Sequence, residues 1–157
     1  MVRSASVLVL VLLVVLASGG VVPSPPAADV ERAVIDAVNA VRRERGLPAA
    51  LTPDPTLADI ARRHSCDMAE RGFFAHTAPD GVSMGERLKQ AGVRYLAAAE
   101  NLARIEARDP AARAVAGWLK SPGHRENMLS PRFTVAGVGA CRKGRAVYIT
   151  QLFIRAR

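Results

Sequence analysis

The apolar residues of this chain change their period once, near Pro131. Before that point they recur every three or four residues, as on one face of a helix. After it they alternate through segments 135–142 and 145–154, which are joined at Lys143-Gly144 and predict a β-hairpin. A chain with helices first and a hairpin last is expected to be an α+β domain in which helices cover an antiparallel sheet.

Four helices are predicted from capping signals that precede apolar stripes. The predicted starts are Asp29, Asp54-Pro55, the S-x-x-E capping box at Ser83 and Glu86, and Asp109-Pro110. The predicted ends are Gly46, Gly72, Gly92 and Ser121-Pro122-Gly123. His64 falls on the apolar stripe of the second helix, where a core-edge histidine with one hydrogen bond is favoured over a ligand.

Two further segments carry local signals. Residues 97–103 suit either a helix or a short buried strand, and we expect a strand or extended segment there. Gly137 and Gly139 lie inside the first hairpin strand, which indicates that another backbone, a side chain or a ligand comes close.

The N-terminus predicts an export signal. The apolar run 7–16 is too short to span a bilayer, which needs about 20 residues, and small residues follow it. We therefore expect a signal peptide at 1–19, a proline-rich spacer at 20–28 and one domain at 29–157, in a secreted, extracellular protein. The alternative is an uncleaved membrane anchor.

Cys66 and Cys141 are the chain's two cysteines. In an exported protein an even count favours a disulfide, here between Cys66 and Cys141, which would tie the second helix to the first hairpin strand. Two buried free thiols are the alternative, and a Cys–His metal site with His64 is disfavoured because no C-x-x-C partner exists.

The formal net charge is +8, which favours contact with anionic polymers or phospholipid headgroups at a cell surface. The basic residues are scattered, however, and the chain has one Trp, two Tyr and four Phe. Nucleic-acid binders usually show a clustered basic face or stacking aromatics, so we expect no nucleic-acid partner. A solvated, arginine-rich surface is therefore the favoured explanation of the charge.

Two short stretches carry candidate chemistry. The first is Phe73-Phe74-Ala75-His76 with Glu100-Asn101-Leu102-Ala103, and the second, at 118–129, contains His124. His76, His124 and Glu100 offer two neutral nitrogens and one anionic oxygen, and three protein ligands plus water suit a catalytic zinc or another divalent metal. The alternative is a buried His76–Glu100 hydrogen bond that only fixes the Phe73 loop.

The motifs together resemble those of a known family. They are Asn39-x-x-x-Arg43, Asp54-Pro55-x-Leu57, Phe73-Phe74-x-His76, Glu100-Asn101-Leu102-Ala103, Ser121-Pro122-Gly123-His124-Arg125, Gly137-Val138-Gly139 and Tyr148-x-Thr150-Gln151. This series is similar to the bacterial branch of the CAP superfamily, which comprises cysteine-rich secretory proteins, antigen 5 and pathogenesis-related proteins and is also called the SCP domain. The resemblance covers residues 29–154.

The resemblance implies a secreted α-β-α sandwich with a small antiparallel sheet. It also implies a central cleft in which two His and two Glu hold a divalent metal such as zinc. His76 and Glu100 match family positions, whereas Ser121 and Tyr148 stand where many members have a glutamate and a histidine. His124 would supply the second imidazole, and the cleft candidates are His76, Glu100, His124, Ser121, Tyr148 and Gln151.

Two functions follow as hypotheses. The first is an extracellular binding module for a small apolar ligand, a lipid, a sterol or a protein, with a cleft lined by Phe73, Phe74 and the Gly-rich strand. The second is a metal-assisted or acid/base hydrolase of extracellular peptide or polymer, including a variant with Ser121 or Ser83 as nucleophile and His124 as base.

Overall fold

The computed structural model describes residues 26–47 and 49–157, which form five helices and four strands. The helices are α1 Ala27–Glu44, α2 Pro55–Arg71, α3 Met84–Gln90, α4 Pro110–Lys120 and α5 Pro122–Leu129. The strands are β1 Thr52–Pro53, β2 Tyr95–Ile105, β3 Val135–Lys143 and β4 Ala146–Ala156.

The predicted signal peptide and most of the predicted spacer lie outside the described residues. Within these residues, no helix has the length and apolar character that a membrane crossing requires.

One sheet joins the strands in the order β1-β3-β4-β2. The hairpin β3–β4 and the pair β2–β4 are antiparallel, which confirms the predicted hairpin and the strand at 97–103. The sheet is mixed, however, because β1 pairs in parallel with β3 through Thr52 and Pro53. This short parallel pair adds to the predicted antiparallel sheet and was not predicted, since two residues carry no alternation that a sequence could show.

The sheet is covered by helices on both faces, so the α+β sandwich is confirmed. On one face Ile149 and Phe153 of β4 pack with Val34 of α1 and Trp118 of α4. The intervening Leu152 packs on the other face, in a cluster that includes residues of α2 and α3. Residues 146–154 of β4 are buried throughout, as expected for a central strand.

The capping predictions hold for α2, α3 and α4. The side chains of Asp54, Ser83 and Asp109 accept hydrogen bonds from the backbone N–H groups three residues on, and Ser83 completes the capping box. Asp29 is not the N-cap of α1: Pro26 occupies that position and Asp29 lies in the first turn. A carboxylate is favourable at either place because both lie at the positive end of the helix dipole.

Helix α5 was not predicted from the sequence, because Ser121-Pro122-Gly123 was interpreted only as a break. Ser121 does end α4, but Pro122 then serves as the first residue of a new helix. The side chain of Arg42, 1% exposed, holds this region by donating to the carbonyl oxygens of Met128 (2.8 Å), Ser130 (3.1 Å) and Phe133 (3.2 Å). Burial lowers the pKa of Arg42, and these carbonyls supply its hydrogen bonds.

Helix α2 lies directly on β3. A Cβ at Gly137 would collide with the backbone at Leu57 and Ala58, and one at Gly139 would collide with that at Ala61 and Arg62. The close approach predicted at these glycines is therefore made by a helix backbone. Gly137 also borders a cavity of about 320 Å³ that is lined in part by residues of α1.

Two further links join the same elements. Ser65 Oγ donates to the Gly139 carbonyl oxygen at 2.9 Å, and the disulfide Cys66–Cys141 spans α2 and β3 with a Cα–Cα distance of 5.0 Å. The predicted disulfide and its placement are thus confirmed.

Gly139→Ala should lower the free energy of unfolding by about 3 kcal/mol or more, because the added methyl group meets helix backbone that cannot move aside alone. The measurement is urea denaturation followed by circular dichroism. The matched control is Gly117→Ala in α4, where nothing lies within 4 Å of the added Cβ. That change should be neutral or stabilise by up to about 1 kcal/mol. Equal effects of the two substitutions would contradict the close contact.

Candidate functional site

Glu100 and His76 meet beside the sheet edge formed by β2. Glu100 lies in that strand with its side chain 3% exposed, whereas the His76 side chain, on the loop after α2, is 56% exposed. His76 Nδ1 lies 2.8 Å from Glu100 Oε1. Because a carboxylate only accepts, Nδ1 carries the proton and Nε2 of the neutral ring keeps a free lone pair.

Arg87 of α3 takes the second oxygen of Glu100. Its Nη2 lies 2.7 Å from Glu100 Oε2, and its Nη1 donates to the carbonyl oxygens of His76 (3.1 Å) and Val82 (3.3 Å). The Arg87 side chain is 11% exposed, so the pair is nearly buried. A buried carboxylate is costly without a partner, and here both oxygens are used.

His124 approaches the same edge from α5. Asn101 of β2 donates from Nδ2 to the His124 carbonyl oxygen at 3.1 Å, and Asn127 donates to Asn101 Oδ1 at 2.9 Å. The His124 ring is half-buried, and burial followed by the nearby charge of His76 lowers its pKa. The neutral imidazole of His124 is therefore favoured. His76 is near enough to contribute electrostatically to this shift.

The other cleft candidates lie apart from this edge or serve other contacts. Tyr148 pairs with Arg104, four residues along β2 from Glu100, which is roughly 13 Å, and its hydroxyl accepts from Arg104 Nε at 3.2 Å. Gln151 of β4 pairs with Asn101, so strand alternation directs its side chain to the sheet face opposite that of Glu100. It is fully buried, and neither of its amide atoms has a hydrogen-bond partner. Ser121 is half-buried at the junction of α4 and α5.

His64 positions the loop that carries His76. Its ring is 2% exposed, and Nε2 lies 3.0 Å from the carbonyl oxygen of Ala75. Burial and then the charge of Arg87 lower its pKa, so the neutral form is favoured. His64 is thus a buried histidine with one hydrogen bond, as predicted. Phe73 packs beside it at a ring-centroid distance of 5.9 Å, whereas Phe74 is 50% exposed.

The structure brings some of the predicted site residues together. His76 and Glu100 are in contact and His124 is near, but within 26–47 and 49–157 no three His, Cys, Asp or Glu side chains are grouped to hold a metal ion. Sequence reasoning missed Arg87. Its one signal was its position just after the Ser83–Glu86 capping box, on a helix whose N-terminus that box fixes.

Arg87→Met should lower the free energy of unfolding by about 3 kcal/mol, because it leaves the Glu100 carboxylate buried beside an apolar side chain. Arg87→Met with Glu100→Gln should recover part of this loss, since the remaining side chain is uncharged. Urea denaturation of both variants measures the difference. A double variant that is less stable than the single one would contradict this interpretation of the pair.

The chain is similar to members of one known protein family. Residues 35–153 match the family model described as the cysteine-rich secretory protein family, CAP. A curated relative, the uncharacterized membrane protein YlbC of Bacillus subtilis, is 39% identical over 125 residues, which are 80% of this chain and 34% of YlbC. A second, YkwD of the same organism, is 38% identical over 73% of this chain and 43% of YkwD. The chain thus spans between a third and a half of these relatives.

Solved structures also match the fold of this chain. An extracellular SCP-domain protein from Bacillus anthracis has a TM-score of 0.74 and 34% identity, over 85% of this chain and 44% of that one. An outer surface protein from Borrelia burgdorferi has a TM-score of 0.72 over 80% of this chain and 92% of its own, and its 22% identity supports the fold alone. The matched family model and the relatives of this identity and coverage show that this chain belongs to the cysteine-rich secretory protein (CAP) family.

Proposed function

We propose that this chain works as an extracellular binding module without catalytic activity, and that it takes an apolar or lipid ligand at the surface around the Phe73–His76 loop. One observation carries the proposal: the single acid of the predicted centre, Glu100, is buried and has both oxygens committed to His76 and Arg87. A carboxylate held in this way orders the surrounding loops. It is poorly placed to take a proton from a substrate.

Exposed apolar side chains support a ligand of this kind. Phe74 is 50% exposed and Leu96 is 58% exposed, and they are the exposed large hydrophobic residues of the described chain. Phe74 lies two residues before His76, on the loop that His64 fixes. In this proposal the exposed Phe74 ring packs on the apolar part of the ligand.

The hydrolase hypothesis has less support. The hydroxyl of Ser83, one candidate nucleophile, is 3.0 Å from Glu86 Oε2 and accepts from the backbone N–H of Glu86, so it is used in the capping box. Ser121, the other candidate, is a half-buried residue shared by two helix ends. A nucleophilic serine needs a base within hydrogen-bond reach. The Ser83 hydroxyl is instead used in a helix cap, and Ser121 lies where α4 ends and α5 begins.

Vesicle sedimentation tests the proposal. Residues 20–157, which contain the whole described fold with its core and disulfide, should sediment with phosphatidylcholine vesicles that contain cholesterol. Phe74→Ser should weaken this binding about tenfold, because one buried aromatic contact is lost. The control is Ala116→Ser, at an exposed position of α4.

Two results would contradict the binding-module proposal. One is a protein that stays in the supernatant in every case, and the other is a Phe74→Ser variant that binds like the parent. Turnover of a chromogenic ester that disappears in His124→Ala would instead favour the hydrolase hypothesis.

A divalent metal is the second element of the proposal. The contact from His76 Nδ1 to Glu100 is the arrangement that orients metal-binding histidines through a carboxylate. It leaves His76 Nε2 and the His124 ring as two nitrogen donors. In this proposal Glu100, which was predicted as the third ligand, orients His76 through that contact. Zinc held by the two imidazoles would polarise a bound water or ligand oxygen.

Zinc titration by calorimetry checks this assignment. Residues 20–157 should bind zinc, and His76→Ala and His124→Ala should each weaken binding roughly tenfold or more. The control is His64→Gln, which alters the histidine outside the pair and keeps a donor for Ala75. An absence of zinc binding in the parent, or unchanged binding in both alanine variants, would remove the metal from the proposal.

A further inference from the structure

A cavity of about 390 Å³ lies between α2 and the segment that leads into α3. Its lining combines apolar side chains, among them Ile60, Val82 and Ala91, with polar and charged ones, among them His64, Arg71 and Arg87. His76, Glu100 and His124 do not line it. Arg87 borders both places, since it lines the cavity and contacts Glu100. The volume is within the range of small-molecule sites in proteins.

Two polar atoms of described residues that line the cavity have no hydrogen-bond partner: Arg87 Nε, a donor, and the ring Nδ1 of His64, an acceptor. His64 uses Nε2 in its hydrogen bond to Ala75, and because a carbonyl oxygen only accepts, Nε2 carries the proton. Nδ1 is then a bare acceptor. Among the described residues, the fully buried side-chain atoms without a partner are Arg87 Nε and the two amide atoms of Gln151. His64 is 2% exposed overall and lines the cavity.

The neutral state of His64 agrees with this geometry. Burial, and then the charge of Arg87, lower its pKa, which keeps Nδ1 unprotonated near neutral pH.

The cations around the cavity are already paired. Arg63 lies 2.9 Å from Asp59, and Arg71 lies 2.9 Å from Asp80. Arg87 lies 2.7 Å from Glu100. A ligand anion would have to compete with these carboxylates, and a ligand cation would have to displace an arginine. The charge pattern therefore favours a ligand with no net charge.

We propose that this cavity binds a small uncharged molecule that has a compact apolar body and one O–H or N–H group, and that His64 Nδ1 accepts a hydrogen bond from that group. The apolar body packs on Ile60, Val82 and Ala91. This site goes beyond the proposed function, because it differs from the surface around Phe74 and from the two imidazoles of the sheet edge.

Indole and benzofuran form a matched pair of probes, since they share a shape and differ in the N–H donor. Residues 20–157, labelled with ¹⁵N, are titrated with each probe and followed by NMR. Indole should shift the His64 Nδ1 resonance and bind about threefold to tenfold more tightly than benzofuran, as expected for one hydrogen bond. Equal affinity of the two probes, or no shift at His64, would overturn the proposal.

Two variants locate the site. His64→Leu removes the Nδ1 acceptor together with the hydrogen bond to Ala75, so indole should bind this variant, once thermal unfolding shows that it is folded, only as well as benzofuran does. Ala91→Leu leaves His64 unchanged and fills part of the cavity, so both probes should bind at least tenfold more weakly, while thermal unfolding shows that the variant is folded. Unchanged indole binding in a folded Ala91→Leu variant would place the probe elsewhere. Vesicle binding through Phe74 is measured separately, and its success or failure does not change these readouts.

Discussion

The direct packing of α2 on β3 is the contact on which the rest of the structure depends. Gly137 and Gly139 remove the side chains that would hold the helix away from the strand, and the Cys66–Cys141 disulfide joins the two elements covalently. A helix held this close to a sheet has little freedom to slide or tilt. His64, near the middle of α2, therefore has a defined position from which it holds the loop that carries His76.

Electrostatics then determine how that loop meets the sheet edge. Glu100 is a buried acid in an edge strand, and such a group requires partners for both oxygens. His76 and Arg87 supply them from two different elements. The loop after α2, helix α3 and strand β2 are thus joined by one carboxylate. The same arrangement orients His76 toward solvent and separates the sheet-edge site from the cavity beside His64.

Local sequence signals predicted much of the fold. The caps at Asp54, Ser83 and Asp109 were correct because an N-cap hydrogen bond is formed within a few residues. Helix α5 and strand β1 were missed because their existence depends on distant contacts: Arg42 holds the end of α5, and β3 pairs with β1. In the site, His76 and Glu100 were identified by residue type, whereas Arg87 was not, since an arginine on a short helix has no distinguishing pattern.

The sequence by itself determined the α+β class, the hairpin, most helix starts and the family, because periodicity, caps and motifs are properties of short segments. It also pointed to a histidine and an acid that meet. Only the tertiary structure decided that Glu100 is bound by Arg87, that Tyr148 and Gln151 lie away from it, and that His64 faces a cavity. These three features depend on distances between segments that are far apart in the chain. Packing and burial fix such distances, whereas local propensity does not.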